Sequence, residues 1–518
     1  MTEIYDCTLR DGTQGGEVNL TVRDKIELVQ LLDDFGVDYI ELGWPGSNAK
    51  DMQCFQKAAG LKLRNAQIVA FGSTRRKDMK PDDDPNLSAI LESGARTATI
   101  FGKTIKDHIG KQLKATPEQN LGMIRDSIGF LRKKGLAVFY DAEHFFDGYA
   151  DDSEYAIECL LTAAEAGAER LILCDTNGGF LPDEVLRIVD EVDQQLMKRN
   201  VSGTLGIHMH NDSGCAVANS VVASDHLTQF HVTVNGLGER AGNADLCQVV
   251  PNLMLKKDIK LPKVRLDQIT NLSKQAYTLT NLRPSSAQPY VGRNAFAHKG
   301  GVHVDAMSKG ASYEHIEPAS VGNKRQIILS DLSGKASIVE IAKGMGLSVD
   351  KNSRGVSEML AEVGRLENAG YDISSLPAEH FLLVERFLKE DRQFFKVRTW
   401  KVMCEQRNGE YSEAVITGTV DGKQREVVAP VDGGPVDALY KALQKMIATN
   451  HRGIWDISLI NYKVMIAQDR GAESSVRVYI EFRNHTVWAT VGVSTNIIEA
   501  SLEAIEKGFR YFLCKSAR

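Results

Sequence analysis

The amino-acid sequence predicts an α/β fold: a (β/α)8 TIM barrel, a mainly helical linker region and a C-terminal ββα-repeat regulatory domain. One unit, a short β-rich run followed by a polar turn and an amphipathic helix, occurs eight times in roughly 250 residues. Polar residues follow at least five of the β-rich runs, at the strand ends where a barrel collects its active site. An open doubly wound sheet is the alternative, and it does not account for that recurrence. The alternation stops after Lys256-Lys257.

Eight runs rich in β-branched and aromatic residues are predicted to be the barrel strands. Their starts lie 26 to 39 residues apart, which leaves room for one helix in each connection. Strands that alternate with helices pair in parallel through right-handed crossovers. The predicted strands are Ile4–Thr8, Tyr39–Gly43, Ile68–Gly72, Ala98–Gly102, Ala137–Ala142, Leu171–Asp175, Leu205–His210 and His231–Asn235.

Amphipathic helices are predicted between these strands. In Thr21–Phe35 the apolar residues recur at helical spacing on one face, and Gly36 supplies the stop. Ser153–Ala166 and Pro182–Arg199 follow the same pattern. The pattern therefore predicts three domains: a catalytic barrel over 1–260, helical linker subdomains over 261–390, and a C-terminal regulatory or dimerisation domain over 391–518.

The C-terminal domain is predicted to contain an internal repeat of strands followed by a helix. It carries no obvious cluster of catalytic residues. Its two helices begin at Gly433-Gly434-Pro435 and near Asn496, where free backbone N–H groups suit the carboxylate of a small amino acid. The predicted strands are Val397–Glu405 and Ala414–Val420 in the first round, and Ile457–Ala467, Ser475–Phe482 and Thr486–Val493 in the second.

Composition and charge exclude several function classes. The 518 residues are 43% hydrophobic and 25% charged, as in ordinary globular proteins. The net charge is −6, so no basic field attracts a nucleic-acid backbone. No run of 18 or more apolar residues and no signal peptide is visible, so no membrane association is expected. The eight cysteines are dispersed without a C-x-x-C pair, which favours reduced thiols and a cytoplasmic location.

The sharpest local pattern is the pair of histidines at the end of the seventh strand. His208 and His210 stand at positions i and i+2, so a strand presents both imidazoles on one face. The eighth and first strands are neighbours in a closed barrel, and they end near Asn243 and Asp11. Two nitrogens with hard oxygens suit a divalent cation such as Zn²⁺, Mn²⁺ or Mg²⁺. Hydrogen-bonded surface histidines are the alternative.

Four further residues at strand ends are candidates for substrate contact and proton transfer. Arg10 has a fixed positive charge that could stabilise an oxyanion, although a structural ion pair is the alternative. Asp141 and Glu143 share one face of the fifth strand, and either could orient substrate or move a proton. Thr176, after the sixth strand, offers a hydroxyl to a substrate carboxylate.

Three motifs resemble those of one enzyme family. Residues 6–12 (DCTLRDG) resemble the D-T-T-L-R-D-G signature of the metal-dependent Claisen-condensing barrel enzymes. That family includes 2-isopropylmalate synthase, homocitrate synthase and citramalate synthase, with 3-hydroxy-3-methylglutaryl-CoA lyase as a relative. Residues 208–212 (HMHND) and 238–243 (GERAGN) are similar to its other two motifs. Residues 43–48, 71–76, 140–148 and 297–303 look most like the longer bacterial citramalate synthases.

The resemblance assigns roles that the spacing alone leaves open. It implies that the metal positions are Asp11, His208, His210 and Asn243. Arg10 would polarise a keto-acid carbonyl, and Glu143 and Thr176 would contact substrate. His303, with Asp305 and Tyr313, would come from the linker of a partner subunit, with His303 or Glu143 as the general base. Citramalate and CoA would form from pyruvate, acetyl-CoA and water in a homodimer.

Two alternatives remain open at this level. A 2-isopropylmalate synthase differs only in a pocket that admits an isopropyl group, and one or two methylenes discriminate by only ~1–3 kcal/mol. A non-catalytic amino-acid sensor would keep the barrel without its chemistry, but the intact Arg10-Asp11 and His208/His210 set argues against it. The resemblance also implies a branched-chain amino-acid effector, with isoleucine favoured over leucine.

Overall fold

The structure is a computed structural model that describes residues 2–201, 205–298, 313–406, 410–468, 471 and 474–516. The chain divides into two compact units, Met1–Phe296 with Ile316–Lys324, and Ala297–His315 with Arg325–Arg518. Within the described residues, no helix has the length and hydropathy needed to cross a bilayer. All eight cysteines are free thiols, and six of them are buried.

The first unit is a closed barrel of eight parallel strands in sequential order, which confirms the predicted fold class. Each predicted strand is present, with ends shifted by a few residues. The strands are β1 Glu3–Asp6, β2 Tyr39–Gly43, β3 Gln67–Ser73, β4 Thr97–Lys103, β5 Ala137–Glu143, β6 Arg170–Asp175, β7 Leu205–Met209 and β8 Gln229–Val232.

The longer helices of the first unit bury apolar faces against the barrel. Local sequence signals explain where the first helix begins and ends. Thr21 and Asp24 form a capping box at its start, and Gly36 ends it with φ of +99°, in the left-handed region. The helices are α1 Val22–Phe35, α2 Ala49–Ala58, α3 Pro85–Glu92, α4 Lys106–His108, α5 Pro117–Lys133, α6 Phe145–Asp151, α7 Ser153–Glu165, α8 Pro182–Lys198, α9 Ala216–Val222, α10 Leu246–Lys256 and α11 Ile269–Thr280.

The barrel interior is filled by side chains and is not a pore. Tyr5, Cys7, Val69 and Phe139 form a buried cluster on the inward faces of the strands. The Tyr5 ring stacks on His231 with centroids 3.9 Å apart. Below the mouth, therefore, the barrel holds a packed layer that supports the polar groups above it.

The second unit begins with two short strands, β9 Ala297–His298 and β10 Gln326–Ile327, followed by three helices. The helices α12 Lys335–Gly344, α13 Arg354–Asn368 and α14 Pro377–Leu388 share a core cluster that includes Val491. The helical character predicted after residue 260 is therefore present. Removing the chain after residue 390 would separate these helices from that part of their core.

The C-terminal repeat is present and contains three strands in each half. Two antiparallel sheets are each covered by one helix. The predicted ββα pattern omits β13, which the structure adds to the first half. The elements are β11 Phe395–Gln406, β12 Glu410–Val420, β13 Lys423–Val431, α15 Pro435–Ala448, β14 Ser458–Gln468, β15 Ser475–Asn484, β16 Thr486–Ser494 and α16 Ile497–Ser516.

Candidate active site at the mouth of the barrel

The predicted site residues of the barrel meet at the carboxyl ends of the strands, where parallel strands direct their following loops. Those that line one cavity of about 220 Å³ are Arg10, Asp11, Asp141, Glu143, Thr176, His208 and His210. Asn243, from the loop after β8, lies against the same group and is 3% exposed. The structure therefore brings together the eight predicted positions that the barrel supplies.

Asp11, His208 and His210 form a compact buried triad. His208 Nε2 lies 3.2 Å from Asp11 Oδ2 and 3.3 Å from His210 Nε2. His210 Nε2 lies 3.7 Å from the same carboxylate oxygen. One carboxylate oxygen and two imidazole nitrogens at these separations match the spacing of ligands around one divalent cation.

Asn243 adjoins the triad through its amide. Its Nδ2 lies 3.2 Å from both Asp11 Oδ2 and His208 Nε2. The oxygen and nitrogen of an amide exchange places on rotation by 180°, so Asn243 can offer Oδ1 to a cation once its amide is reversed. A Cβ at Gly238 would lie 1.9 Å from Asn243 Oδ1, so glycine at 238 leaves the amide its space.

The unpartnered atoms and the protonation states of the triad suit the binding of a cation. Asp11 Oδ1 and both histidine Nδ1 atoms have no hydrogen-bond partner among the described residues. Burial lowers the pKa of His210 to about 4, so its imidazole is neutral near pH 7 and offers a lone pair. Although burial opposes it, the charge of Arg10 holds the pKa of Asp11 below its usual range, so that side chain is a carboxylate. A carboxylate and neutral imidazoles are metal-ligand forms.

Arg10 is fixed from three directions. Its Nε donates to Glu41 Oε2 at 2.7 Å, and its Nη1 lies 3.2 Å from Asp11 Oδ2. The guanidinium carbon lies 3.8 Å above the centre of the Phe71 ring. Glu41, which also accepts from Tyr5 Oη, was missed in the sequence; the signal was a charged residue inside the apolar strand β2. This cage orients the positive charge of Arg10 beside the triad.

Asp141 and Glu143 occupy different environments on the same strand. Asp141 is 3% exposed, and burial raises its pKa to about 7. Its Oδ1 has no hydrogen-bond partner among the described side chains and main-chain groups. Glu143 Oε2 instead lies 2.5 Å from Lys103 Nζ, in an ion pair at the cavity wall. One carboxyl group can therefore gain or lose a proton near neutral pH, while the other is paired with a cation.

Thr176 is positioned by the main chain of the neighbouring loop. Its Oγ1 accepts a hydrogen bond of 2.8 Å from the backbone N–H of His144. Because the hydroxyl oxygen already accepts, its own hydrogen is available to donate towards the cavity. Such a donor suits a carboxylate oxygen of a ligand.

An aromatic wall on one side of the cavity was not recognised in the sequence. Trp44, Phe71 and Phe101 pack with centroids 5.5–5.6 Å apart, two of the three pairs edge to face. Trp44 Nε1 donates to Asn86 Oδ1 at 2.7 Å, which fixes the indole. Each aromatic residue belongs to a different βα connection or strand, so no local pattern joins them. The wall gives the polar site one bulky apolar boundary.

The predicted linker contribution cannot be placed in the cavity. His303 and Asp305 lie outside the described residues. Tyr313 is described in the second unit, where its side chain is 51% exposed. Their roles stay predictions from the resemblance.

Comparisons with known families and proteins cover the whole chain. Residues 1–275 match the HMGL-like family, 290–369 the homocitrate synthase post-HMGL domain-like family, and 376–513 the LeuA allosteric (dimerisation) domain. The (R)-citramalate synthase of Geobacter sulfurreducens is 42% identical over all of this chain and 98% of its own length. That of Aquifex aeolicus is 41% identical, over 99% and 98%. A 2-isopropylmalate synthase of Methanocaldococcus jannaschii is 32% identical, over 99% and 95%.

Proposed function

This chain belongs to the (R)-citramalate synthase family of HMGL-like condensing enzymes, and we propose that it joins pyruvate, acetyl-CoA and water to give (R)-citramalate and CoA. The observation that carries the proposal is the Asp11–His208–His210 triad beside the caged Arg10 in one cavity. We propose that this product is used in isoleucine biosynthesis.

The triad and Asn243 would hold a divalent cation, for which Mn²⁺, Zn²⁺ and Mg²⁺ are the candidates. When bound there, such a cation would supply Lewis-acid polarisation of the ketone of pyruvate. Two imidazole ligands favour Zn²⁺ or Mn²⁺ over Mg²⁺, which prefers oxygen ligands and bound water.

The remaining site residues would bind pyruvate and stabilise charge. The Thr176 hydroxyl, which accepts from His144, would donate to the pyruvate carboxylate. The guanidinium of Arg10, held by Glu41 and Phe71, would stabilise the negative charge that develops on the ketone oxygen during attack. Asp141, with a pKa of about 7, would hold or deliver a proton at its Oδ1.

Removal of a methyl proton from acetyl-CoA requires a base. We assign this role to His303 or a water that it orients, by the resemblance of residues 297–303, with Asp305 and Tyr313 assisting. Glu143 is the alternative base within the barrel, where its ion pair with Lys103 keeps it at the cavity wall. The resulting carbanion equivalent would attack the ketone carbon, and hydrolysis of the thioester would release CoA.

Pyruvate is the proposed acceptor by the resemblance to citramalate synthases. The side chains of Trp44, Phe71 and Phe101 form one wall of the cavity, against which a larger acyl group would have to fit. The identity of 41–42% to citramalate synthases against 32% to an isopropylmalate synthase supports the same choice.

The test measures CoA release and the condensed product for a series of 2-oxo acids with acetyl-CoA and Mn²⁺. We expect specificity constants to rank pyruvate above 2-oxobutyrate and well above 2-oxoisovalerate, because each added methylene must fit against the aromatic wall. Trp44→Phe keeps an aromatic ring of smaller size. We expect it to reduce the differences between the specificity constants for these three acids. Preference of the parent enzyme for 2-oxoisovalerate would move the assignment to isopropylmalate synthesis.

We also assign the second unit to homodimerisation and regulation by a branched-chain amino acid. The match of 376–513 to the LeuA allosteric (dimerisation) domain supports both. Isoleucine is expected to inhibit the full-length enzyme and to raise its melting temperature, with leucine weaker. If no branched-chain amino acid does either, the domain serves dimerisation alone.

A further inference from the structure

A chain of polar side chains leads from the amino-terminal end of the barrel into its interior, where its last two members, Gln229 and His231, are buried. At the amino-terminal end, Arg170 Nη2 lies 2.7 Å from Glu3 Oε1. Gln229 Nε2 donates to Glu3 Oε2 at 3.0 Å, and His231 Nε2 lies 3.0 Å from Gln229 Oε1. Gln229 and His231 are each at most 2% exposed. The proposed mechanism uses none of these groups.

The contacts of this chain determine which nitrogen of His231 carries its proton. The carboxylate of Glu3 only accepts hydrogen bonds, so the NH₂ end of the Gln229 amide faces it and Oε1 faces His231. An amide oxygen also only accepts, so His231 Nε2 must carry the proton. A neutral imidazole whose proton is on Nε2 has a lone pair on Nδ1, so His231 can accept a hydrogen bond at that atom.

His208 needs an acceptor of this kind. For Nε2 of His208 to face the triad as a ligand, the proton of its neutral ring must be on Nδ1. His208 and His231 are paired in register on β7 and β8, with ring centroids 5.5 Å apart and planes at 87°. A ring nitrogen of each and the Cys7 sulfur all lie within 4.8 Å of one another. Neither Nδ1 has a hydrogen-bond partner among the described residues.

We infer that His231 is a positioning residue for the metal site: held by Gln229 and Glu3, it offers Nδ1 as the acceptor that keeps His208 in the Nδ1–H tautomer, with Nε2 directed at the cation. This inference rests on the ligand role proposed for His208. The partner of a metal-bound histidine contributes to metal affinity because it fixes both the tautomer and the orientation of the ring.

The test measures Mn²⁺ binding to chelated full-length protein, with free Mn²⁺ followed by electron paramagnetic resonance. His231→Phe removes the acceptor and keeps a ring against Tyr5. His231→Asn places an amide oxygen near the former Nδ1. We expect His231→Phe to weaken Mn²⁺ binding about 10–100-fold and His231→Asn to recover most of that loss. Turnover of His231→Phe is expected to return towards the parental value at saturating Mn²⁺, because the residue acts through His208.

Tyr39→Phe is the matched control, since it changes another aromatic residue of the interior, whose ring lies 6.0 Å from that of Tyr5. It is expected to leave Mn²⁺ affinity unchanged. Parental Mn²⁺ affinity in His231→Phe would overturn the inference. So would two Mn²⁺ per chain with one lost in Cys7→Ser, because Cys7, His208 and His231 would then hold a second cation themselves. A parent protein that binds Mn²⁺ normally but forms no citramalate would refute the proposed function and leave this inference intact.

Discussion

At the scale of single residues, the site depends on charged groups that are fixed by contacts outside the cavity. Arg10 illustrates this: Glu41 accepts a hydrogen bond from its Nε, Asp11 forms an ion pair with its Nη1, and Phe71 covers one face of the guanidinium. A planar, five-donor group can satisfy these three contacts at once. Lysine carries the same charge, but its ammonium group is not planar and cannot make the paired hydrogen bonds of a guanidinium.

Arg10→Lys is therefore expected to reduce turnover far more than it reduces metal affinity. The ammonium cannot reproduce the guanidinium contacts, so the charge beside the ketone oxygen is misplaced, and we expect kcat to fall about 100-fold or more. Steady-state kinetics and Mn²⁺ titration on the same preparation check this. Arg187→Lys, at an exposed ion pair with Glu191 on α8, is the control and should retain activity. Equal losses in metal affinity and turnover would indicate that Arg10 acts by holding the metal-binding triad in place.

At the scale of secondary-structure elements, helix α14 carries a buried histidine whose ionisation opposes folding. His380 Nε2 donates to the carbonyl of Ile373 at 2.8 Å. Burial lowers the pKa of His380 to about 4, although this hydrogen bond acts in the opposite direction. In the unfolded chain a histidine titrates near 6.5, so below that pH the unfolded state binds a proton that the native state does not.

The contribution of neutral His380 to stability is therefore present above about pH 6.5 and is lost as the pH falls towards 4. Between pH 7 and pH 5 we expect protonation of this histidine in the unfolded chain to lower the free energy of unfolding by about 2 kcal/mol. His380→Gln keeps a donor without a titrating ring and should flatten that dependence. Urea unfolding followed by tryptophan fluorescence measures it, because Trp400, Trp455 and Trp488 lie in the second unit. The exposed His485→Gln should keep the parental pH dependence.

At the scale of the whole molecule, strand β14, at the edge of its sheet in the second unit, carries exposed apolar side chains. On β14, Val464 is 38% exposed and Ile466 is 64% exposed. Exposed apolar residues in a row are typical of protein interfaces, and this segment lies within the match to the dimerisation domain. We therefore expect this edge strand to contact a second copy of this chain.

Val464→Lys is expected to convert the dimer to monomer at micromolar concentration, because each interface would bury an unpaired ammonium. Light scattering coupled to size exclusion measures the mass. Leu181→Lys, at an exposed apolar residue beside α8, is the matched control and should remain dimeric. A dimeric Val464→Lys protein would place the interface elsewhere.

The amino-acid sequence by itself determined the barrel, the C-terminal repeat and the triad of the candidate site. Strands that alternate with helices allow few topologies, and this constraint is local in the chain. His208 and His210 face one way because a strand has period two, and Asp11 follows the strand that closes beside β8. Strand β13 escaped prediction because Pro430 argues against a central strand, whereas β13 is at the edge of its sheet.

Only the tertiary structure decided how the site is supported. The contact of Arg10 with Glu41 joins residues 31 positions apart, and that of Gln229 with Glu3 joins residues 226 positions apart. The aromatic wall likewise assembles from three different strands or loops. Local patterns report propensity and periodicity within about one element, whereas these contacts depend on which strands the closed barrel makes neighbours. The pKa of Asp141 was equally invisible in the sequence, because burial raises it and burial is a property of the assembled fold.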